Sequence, residues 1–132
     1  MGFNGRFADF VRVRVNDAWR RELDVLTACN EWYSGAFLLE TVPSVLYTLM
    51  RHGDDPVEAL VRAVNDTKDN DTVAAIGGAA VGALHGSAAF PARWRDELLG
   101  RTGEDDDGRV FQLIERARQF RAPCWAMDSS SR

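Results

Sequence analysis

A run of very small residues near the middle of the chain limits the possible folds more than any other feature. Residues 73–84 read VAAIGGAAVGAL, with Gly77, Gly78 and Gly82 inside the run. Each glycine in a helix costs about 1 kcal/mol relative to alanine, so such a helix is useful only where other helices pack very close to it. The run is also shorter than the roughly 20 residues of a membrane span. We predict a tightly packed central helix over residues 71–85 and no membrane segment.

The rest of the chain reads as helices joined by short turns. Apolar residues recur at helical spacing, and strand signals are weak throughout. Residues 7–15 fit either a helix or a strand, and residues 27–35 are predicted to form a connection. Pro43 predicts either a kink or a helix start near Val42. The predicted class is all-α, a compact helical bundle of about six helices. The predicted helices outside the small-residue run cover residues 16–26, 36–51, 56–65, 91–99 and 110–120.

Length and composition indicate one globular domain over residues 1–132, with a frayed tail at 124–132. The chain has 132 residues, 45% of them hydrophobic, which is enough to build a core. Its net charge is −4 with mixed signs, so no nucleic-acid partner is expected. Cys29 and Cys124 stand far apart without a partner motif, and the N-terminal residues do not resemble a signal peptide. We therefore expect reduced thiols in a cytoplasmic protein.

Oxygen-bearing side chains gather where the small-residue helix begins. Asp69, Asp71 and Thr72 offer carboxylate and hydroxyl oxygens, which are the ligands that hard cations such as Mg²⁺ prefer. Two aspartates separated by one residue can aim both carboxylates at one point in a turn. The alternative is that these residues only cap the helix, because its N-terminus favours anions and hydrogen-bond acceptors.

Several motifs stand in one order and spacing along this part of the chain. D-N-D-T occupies residues 69–72, A-A-I follows at 74–76, and spaced glycines continue to Gly86. A Pro-x-x-Trp lies at 91–94, and upstream S-G-A-F at 34–37 precedes Glu40, Thr41 and Pro43. This combination resembles the ADP-ribosylglycohydrolase family, most strongly over residues 32–99.

The resemblance implies the C-terminal half of a longer all-helical hydrolase. Such enzymes bind two Mg²⁺ or Mn²⁺ ions and cleave the glycosidic bond that joins ADP-ribose to a protein side chain or small acceptor. By this resemblance, the metal-ligand roles of the family's motif fall on Asp69, Asp71 and Thr72. The ions would orient the ribose hydroxyls and activate water. Ser34, Gly35 and Phe37 would lie beside the ADP-ribose ligand, with helix start and core packing as their alternative role.

The sequence departs from the family pattern in two places. No Thr-Asp-Asp segment occurs, so the other half of the metal site is absent from this sequence, and no catalytic residue is assigned. Thr67 and Lys68 stand where the family has glycines. Lys68 would repel the cations unless it pairs with Asp66 or reaches a phosphate. We expect an incomplete copy that is inactive in isolation.

Two other functions remain open. The chain could be a non-catalytic helical module, a pseudoenzyme or assembly subunit, that forms a homo-oligomer or pairs with a separate N-terminal half. A poorly covered small-residue helix would favour such a partner. The chain could also be an unrelated small helical protein in which the aspartates are caps.

Overall fold

The computed structural model describes residues 4–97 and 109–119, and within these ranges it contains seven α-helices, one short 3₁₀ helix and no strand. The predicted all-α class is confirmed, with seven helices in place of about six. No helix in these ranges combines the length and the apolar character that crossing a bilayer requires. The helices are α1 (Phe7–Arg20), α2 (Val25–Trp32), α3 (Leu38–His52), α4 (Pro56–Asn65), α5 (Asn70–His85), α6 (Ala92–Asp96) and α7 (Arg109–Gln119), with the 3₁₀ helix at Ser87–Ala89.

The helix at the centre is α3, which packs against α1, α2, α4 and α5. The expectation that the small-residue helix is central was therefore wrong. Helix α5 packs mainly against α3, α4 and the 3₁₀ helix, and its buried positions Val73, Gly77 and Val81 recur every four residues as one narrow stripe. The opposite side of α5 is exposed in the described part of the chain, at Ala75, Ile76, Ala79, Ala80, Ala83 and Leu84.

The first two helices differ most from the sequence-based expectation. The stretch that fitted either a helix or a strand belongs to α1, which ends at Arg20, where a helix had been predicted to continue to residue 26. Glu22, with a left-handed φ of 54°, lies within the predicted helix and is not compatible with its continuation. Helix α2 replaces the predicted connection, because the Asp24 side chain accepts a 2.7 Å hydrogen bond from the Thr27 amide and caps the new helix.

The main hydrophobic core joins α1, α2 and α3. The Trp32 and Tyr47 rings meet edge to face with their centroids 5.9 Å apart, which is a favoured aromatic geometry. The Tyr47 hydroxyl lies 2.5 Å from the Leu23 carbonyl oxygen, so its polar end is satisfied within the core. Val45, Ala63 and Val73 form a second cluster that joins α3 to α4 and α5. The buried residues of the main cluster are Val11, Val15, Ala18, Val25, Ala28, Cys29, Trp32 and Tyr47.

Local signals set the bounds of α3 and α4. Helix α3 begins at Leu38 and runs through Pro43, so the alternative of a start near Val42 is wrong. Helix α4 has the predicted bounds. Asp55 caps it by accepting hydrogen bonds from the Val57 and Glu58 amides, with Pro56 at the first helical position.

Internal contacts divide the chain into Met1–Ala92 and Arg93–Arg132. The first unit contains α1 to α5, the 3₁₀ helix and every predicted site residue. The second contains α7 and most of α6. The predicted helix end at Gly100 and the predicted frayed tail at 124–132 lie outside the described residues. The single-domain organisation stays a prediction.

Candidate functional site

The short loop between α4 and α5 carries the first predicted metal ligand. Thr67 Oγ1 donates a 2.6 Å hydrogen bond to the carbonyl oxygen of Ala63. Asn70 Nδ2 donates a 3.2 Å bond to the carbonyl oxygen of Val64. Because both acceptors lie in the last turn of α4, these side chains fold the loop back onto that helix. Asp69 then takes the N-cap position of α5.

A serine from the connection between α2 and α3 holds this loop. The Ser34 carbonyl oxygen accepts hydrogen bonds from the Lys68 amide at 3.2 Å and from the Asp69 amide at 2.9 Å. Ser34 Oγ also accepts from the Lys68 amide, at 3.0 Å. Ser34 is only 1% exposed, so water does not compete for these bonds. The structure therefore brings Ser34 and its neighbour Gly35 against the loop that carries Asp69.

The Asp69 carboxylate does not cap its helix. Asp24 and Asp55, at the N-caps of α2 and α4, each accept amide hydrogen bonds through their side chains. Asp69 occupies the same position on α5 and makes no such bond. Its Oδ2 atom is buried without a hydrogen-bond partner in the described part of the chain. The capping alternative therefore does not account for the side chain of Asp69.

The other two predicted ligands follow in the first turn of α5. Asp71 and Thr72 are exposed, while Val73 directly after them is fully buried and fixes this turn on the core. The positive end of the helix dipole favours negative charge at this turn. Among the described residues, no group of three or more His, Cys, Asp or Glu side chains is arranged to hold a metal ion. The helix end thus offers two carboxylates and a hydroxyl.

A third carboxylate, to which the sequence analysis gave no role, lies beside the connection between α2 and α3. Glu40 lies in the first turn of α3, and its Oε2 atom is buried without a partner in the described residues. A Cβ atom added at Gly35 would stand 2.6 Å from this oxygen. Gly35 therefore leaves the space that the Glu40 carboxylate occupies. In the sequence, the only indication of this arrangement is that Glu40 follows Ser34 and Gly35 by a few residues.

Hydrogen bonds from the core fix the start of α3. Trp32 Nε1 donates to Ser44 Oγ at 2.8 Å, and this hydroxyl donates to the Glu40 carbonyl oxygen at 2.7 Å. Thr41 Oγ1 donates to the Gly35 carbonyl oxygen at 2.9 Å. The connection after α2 is thereby joined to both the core and α3.

The third residue predicted to contact the ADP-ribose ligand lies in a different environment from Ser34 and Gly35. Phe37 is the N-cap of α3, and its side chain is 75% exposed. Ser34 and Gly35 are buried. Core packing, the alternative role, therefore does not apply to the Phe37 side chain.

Comparison with models of known protein families gives a match over residues 4–123, to the family described as ADP-ribosylglycohydrolase. The chain belongs to the ADP-ribosylglycohydrolase family. The matched stretch extends well beyond residues 32–99, where the motifs lie. No match was found among curated proteins or among solved structures.

The lysine in the loop of this family member does not pair with Asp66 in the described part of the chain. Lys68 Nζ lies 3.8 Å from the centroid of the Tyr33 ring, at the distance of a cation–π contact. Asp66 instead accepts a 3.3 Å hydrogen bond from Arg62. Tyr33 ends α2 in the left-handed region at φ 57°, which is uncommon for a residue with a side chain. This conformation places its ring beneath the Lys68 ammonium group.

The oxygen atoms at the start of α5 are of the chemical kind that divalent cations bind. A buried carboxylate oxygen that lacks a partner costs about 1–3 kcal/mol or more. A Mg²⁺ or Mn²⁺ ion would satisfy the Asp69 oxygen, because these ions prefer carboxylate oxygens. Asp71 and Thr72 follow on the first turn of the same helix. The oxygen donors present are therefore of the right kind, although they fall short of the six ligands of Mg²⁺.

Proposed function

We propose that this chain supplies Asp69, Asp71 and Thr72 to a Mg²⁺ or Mn²⁺ site that serves hydrolysis of the glycosidic bond in ADP-ribose conjugates. The observation that carries the proposal is the buried Asp69 Oδ2 atom, which has no partner in the described residues. Two other aspartates of the same chain at the same helical position do cap their helices. The family membership supplies the reaction class.

The residues of this chain have separate tasks in the proposal. Ser34 holds the loop through its carbonyl and hydroxyl oxygens, which fixes the main chain of Asp69. The carboxylates of Asp69 and Asp71 bind the cation from the N-terminus of α5. Bound Mg²⁺ or Mn²⁺ supplies Lewis acidity, which lowers the pKa of a bound water and orients the ribose hydroxyls. The proposal assigns no residue of this chain as a catalytic acid or base.

The proposed site takes further oxygen ligands from outside this sequence. Mg²⁺ favours six ligands, and the sequence contains no Thr-Asp-Asp segment that could add a second set. We propose that a separate N-terminal half or a second copy of this chain supplies them, in the cytoplasm. The isolated chain should then bind a cation weakly and show no turnover, and turnover of an ADP-ribose conjugate by the isolated chain would contradict this.

Thermal melts test the proposed cation site. The wild-type chain is melted with and without Mg²⁺ or Mn²⁺ and ADP-ribose, beside Asp69→Asn, Asp71→Ala and the exposed control Asp54→Ala. A ligand at about 100 times its Kd stabilises the folded state by about 2.7 kcal/mol. We expect a shift in the wild type and in Asp54→Ala that the two site variants lose. A shift that persists in both site variants would rule out these ligands.

A non-catalytic assembly module is the second candidate function. It is favoured by the exposed side of α5, where Ile76 is 48% and Leu84 is 71% exposed. Apolar surface of this kind commonly marks a partner-binding face. Light-scattering chromatography of the wild type and of Leu84→Glu tests it. A dimer that the variant dissociates would support assembly through α5, whereas a wild type that is monomeric at high concentration would contradict it.

A further inference from the structure

One side of helix α5 is exposed in the described part of the chain, while its other sides are covered. Val73 lies in a core cluster with residues of α3 and α4. A Cβ atom added at Gly78 would meet the Leu60 side chain of α4, and one added at Gly82 would meet the Phe90 ring. The exposed side lies between these contacts and is the only part of the helix surface left for a partner within these residues.

Four exposed residues form the centre of this side. They follow one another at intervals of four, three and four residues, which keeps them on one side of a helix and is the spacing of helix-to-helix contacts. They are Thr72, Ile76, Ala79 and Ala83, and we call them the α5 face. Only Ile76 is large, and its side chain is 48% exposed. Small residues at a contact allow two helix axes to come close together.

We propose that the α5 face binds the α5 face of a second copy of this chain, with the two helices antiparallel. The inference rests on the second candidate function, the assembly module, and names its partner and its orientation. It does not depend on the cation site. Two independent features of α5, the sizes of the side chains on the face and the charges at the helix ends, support the same arrangement.

Antiparallel pairing makes the α5 face complementary to itself in shape. When the pair is centred between Ile76 and Ala79, Ile76 of each copy packs on the partner's Ala79, and Thr72 packs on the partner's Ala83. Each larger side chain then lies opposite an alanine. In a parallel pair the two Ile76 side chains would meet each other, and alanine would lie opposite alanine. Such a pair leaves unfilled space, which interfaces of protein-like packing density do not tolerate.

The charges at the two ends of α5 favour the same orientation. Asp69 is the N-cap, Asp71 lies in the first turn, and His85 lies in the last turn. A parallel pair would bring the aspartates of both copies together, and like charges repel. Antiparallel pairing brings Asp71 near the partner's His85 and places the helix dipoles in opposition. The two acidic ends are then separated by most of the helix length, about 20 Å at 1.5 Å per residue.

Light-scattering chromatography of the full chain over a range of concentrations, without added metal, tests the pairing. We expect the wild type to pass from monomer to dimer as concentration rises. Ile76→Glu should raise the dimer Kd about tenfold or more, because dimerisation would bury the new charge. Val13→Glu is the matched control, since Val13 is 57% exposed on α1, and its Kd should equal that of the wild type. A wild type that stays monomeric at millimolar concentration would overturn the proposal, as would equal effects of both variants.

A second variant keeps the test decisive if Ile76→Glu does not fold. Ala79→Leu adds apolar surface and retains a residue that favours helices. If the helices pack closely through Ala79, the larger side chain holds them apart and the dimer Kd should rise about fivefold or more. If the contact is only general apolar adhesion, the dimer should become tighter, and this result would overturn the proposal.

Disulfide cross-linking distinguishes the two orientations. Thr72→Cys and Ala83→Cys are made separately in a Cys124→Ser background, where the remaining Cys29 is buried, and the two proteins are mixed and mildly oxidised. A disulfide forms only between residues whose Cα atoms lie within about 7 Å. Antiparallel pairing therefore links one variant to the other, and we expect this mixed product to predominate. Predominance of products that link each variant to itself would indicate a parallel pair and overturn the proposal.

The inference and the cation site can fail separately. If the wild type is monomeric, the inference and the assembly candidate fall, while the cation site is still judged by the melts of Asp69→Asn and Asp71→Ala. If the dimer forms and metal gives no melting shift, the inference stands and the cation site falls. A dimer that Leu84→Glu dissociates and Ile76→Glu does not would overturn pairing through the α5 face and leave assembly through another part of α5.

Discussion

The main-chain amide of Asp69 donates a 2.9 Å hydrogen bond to the carbonyl oxygen of Ser34, which joins the start of α5 to the connection after α2. That connection is in turn fixed to the core through Trp32 and Ser44. The candidate cation site therefore depends on packing among helices that lie far from it in sequence.

The bond between Trp32 and Ser44 should contribute measurably to stability. Trp32→Phe keeps an aromatic ring and removes the 2.8 Å bond from Nε1 to Ser44 Oγ. We expect the free energy of unfolding to fall by about 1–2 kcal/mol, because the bond is buried. Urea denaturation measures the loss. In a double-mutant cycle with Ser44→Ala the coupling should be about 1 kcal/mol, and a coupling near zero would contradict the assignment.

Two adjacent glycines of α5 should respond differently to alanine. A Cβ at Gly77 meets no heavy atom of the described residues within 4 Å, whereas a Cβ at Gly78 would stand 3.0 Å from Leu60 Cδ2. Gly77→Ala should raise the free energy of unfolding by about 0.5–1 kcal/mol through helix propensity. Gly78→Ala should raise the free energy of unfolding by less, because the Leu60 side chain must shift to make room. Urea melts compare the pair, and a destabilised Gly77→Ala would contradict the prediction.

Replacement of Lys68 by glutamine should tighten Mn²⁺ binding. The ammonium group lies on the Tyr33 ring beside the loop, where it raises the electrostatic potential at Asp69. Its removal should increase affinity about two- to fivefold at low salt and reduce stability by less than about 1 kcal/mol. Arg51→Gln is the matched control, because Arg51 stacks on Trp19 at 5.7 Å. Weaker binding in Lys68→Gln would indicate that Lys68 assists the site.

The Cys29 thiol should be unreactive in the folded protein. Burial raises its pKa from 9.0 to about 11, so little thiolate forms near neutral pH. In a Cys124→Ser background, iodoacetamide should label Cys29 only after urea is added. Rapid labelling of the folded chain would show that the thiol is accessible.

The same pKa shift predicts a stability change at alkaline pH. Between pH 9 and 11 the unfolded chain loses the Cys29 proton while the folded chain retains it. The free energy of unfolding should therefore fall through this window, and the thiol contributes no such change below it. Burial also raises the pKa of Tyr47, so comparison with Cys29→Ala isolates the thiol. An equal slope in Cys29→Ala would contradict the assignment.

Local chemistry explains which elements the sequence predicted. Asp55 followed by Pro56 specifies a helix start through contacts within a few residues, and α4 has the predicted bounds. The same reasoning could have found α2, because Asp24 precedes apolar residues at 25, 28, 29 and 32. The structure instead shows a cap at Asp24 where a connection had been predicted.

The sequence alone determined the helical class, the family resemblance and the position of Asp69 and Asp71 at a helix start, since these follow from spacing along one stretch of chain. Only the tertiary structure made α3 the central helix. It also placed Ser34 against the Asp69 loop and left Glu40 Oε2 and Asp69 Oδ2 buried without partners in the described residues. These relationships join segments far apart in sequence, and they depend on how the helices pack rather than on any local preference.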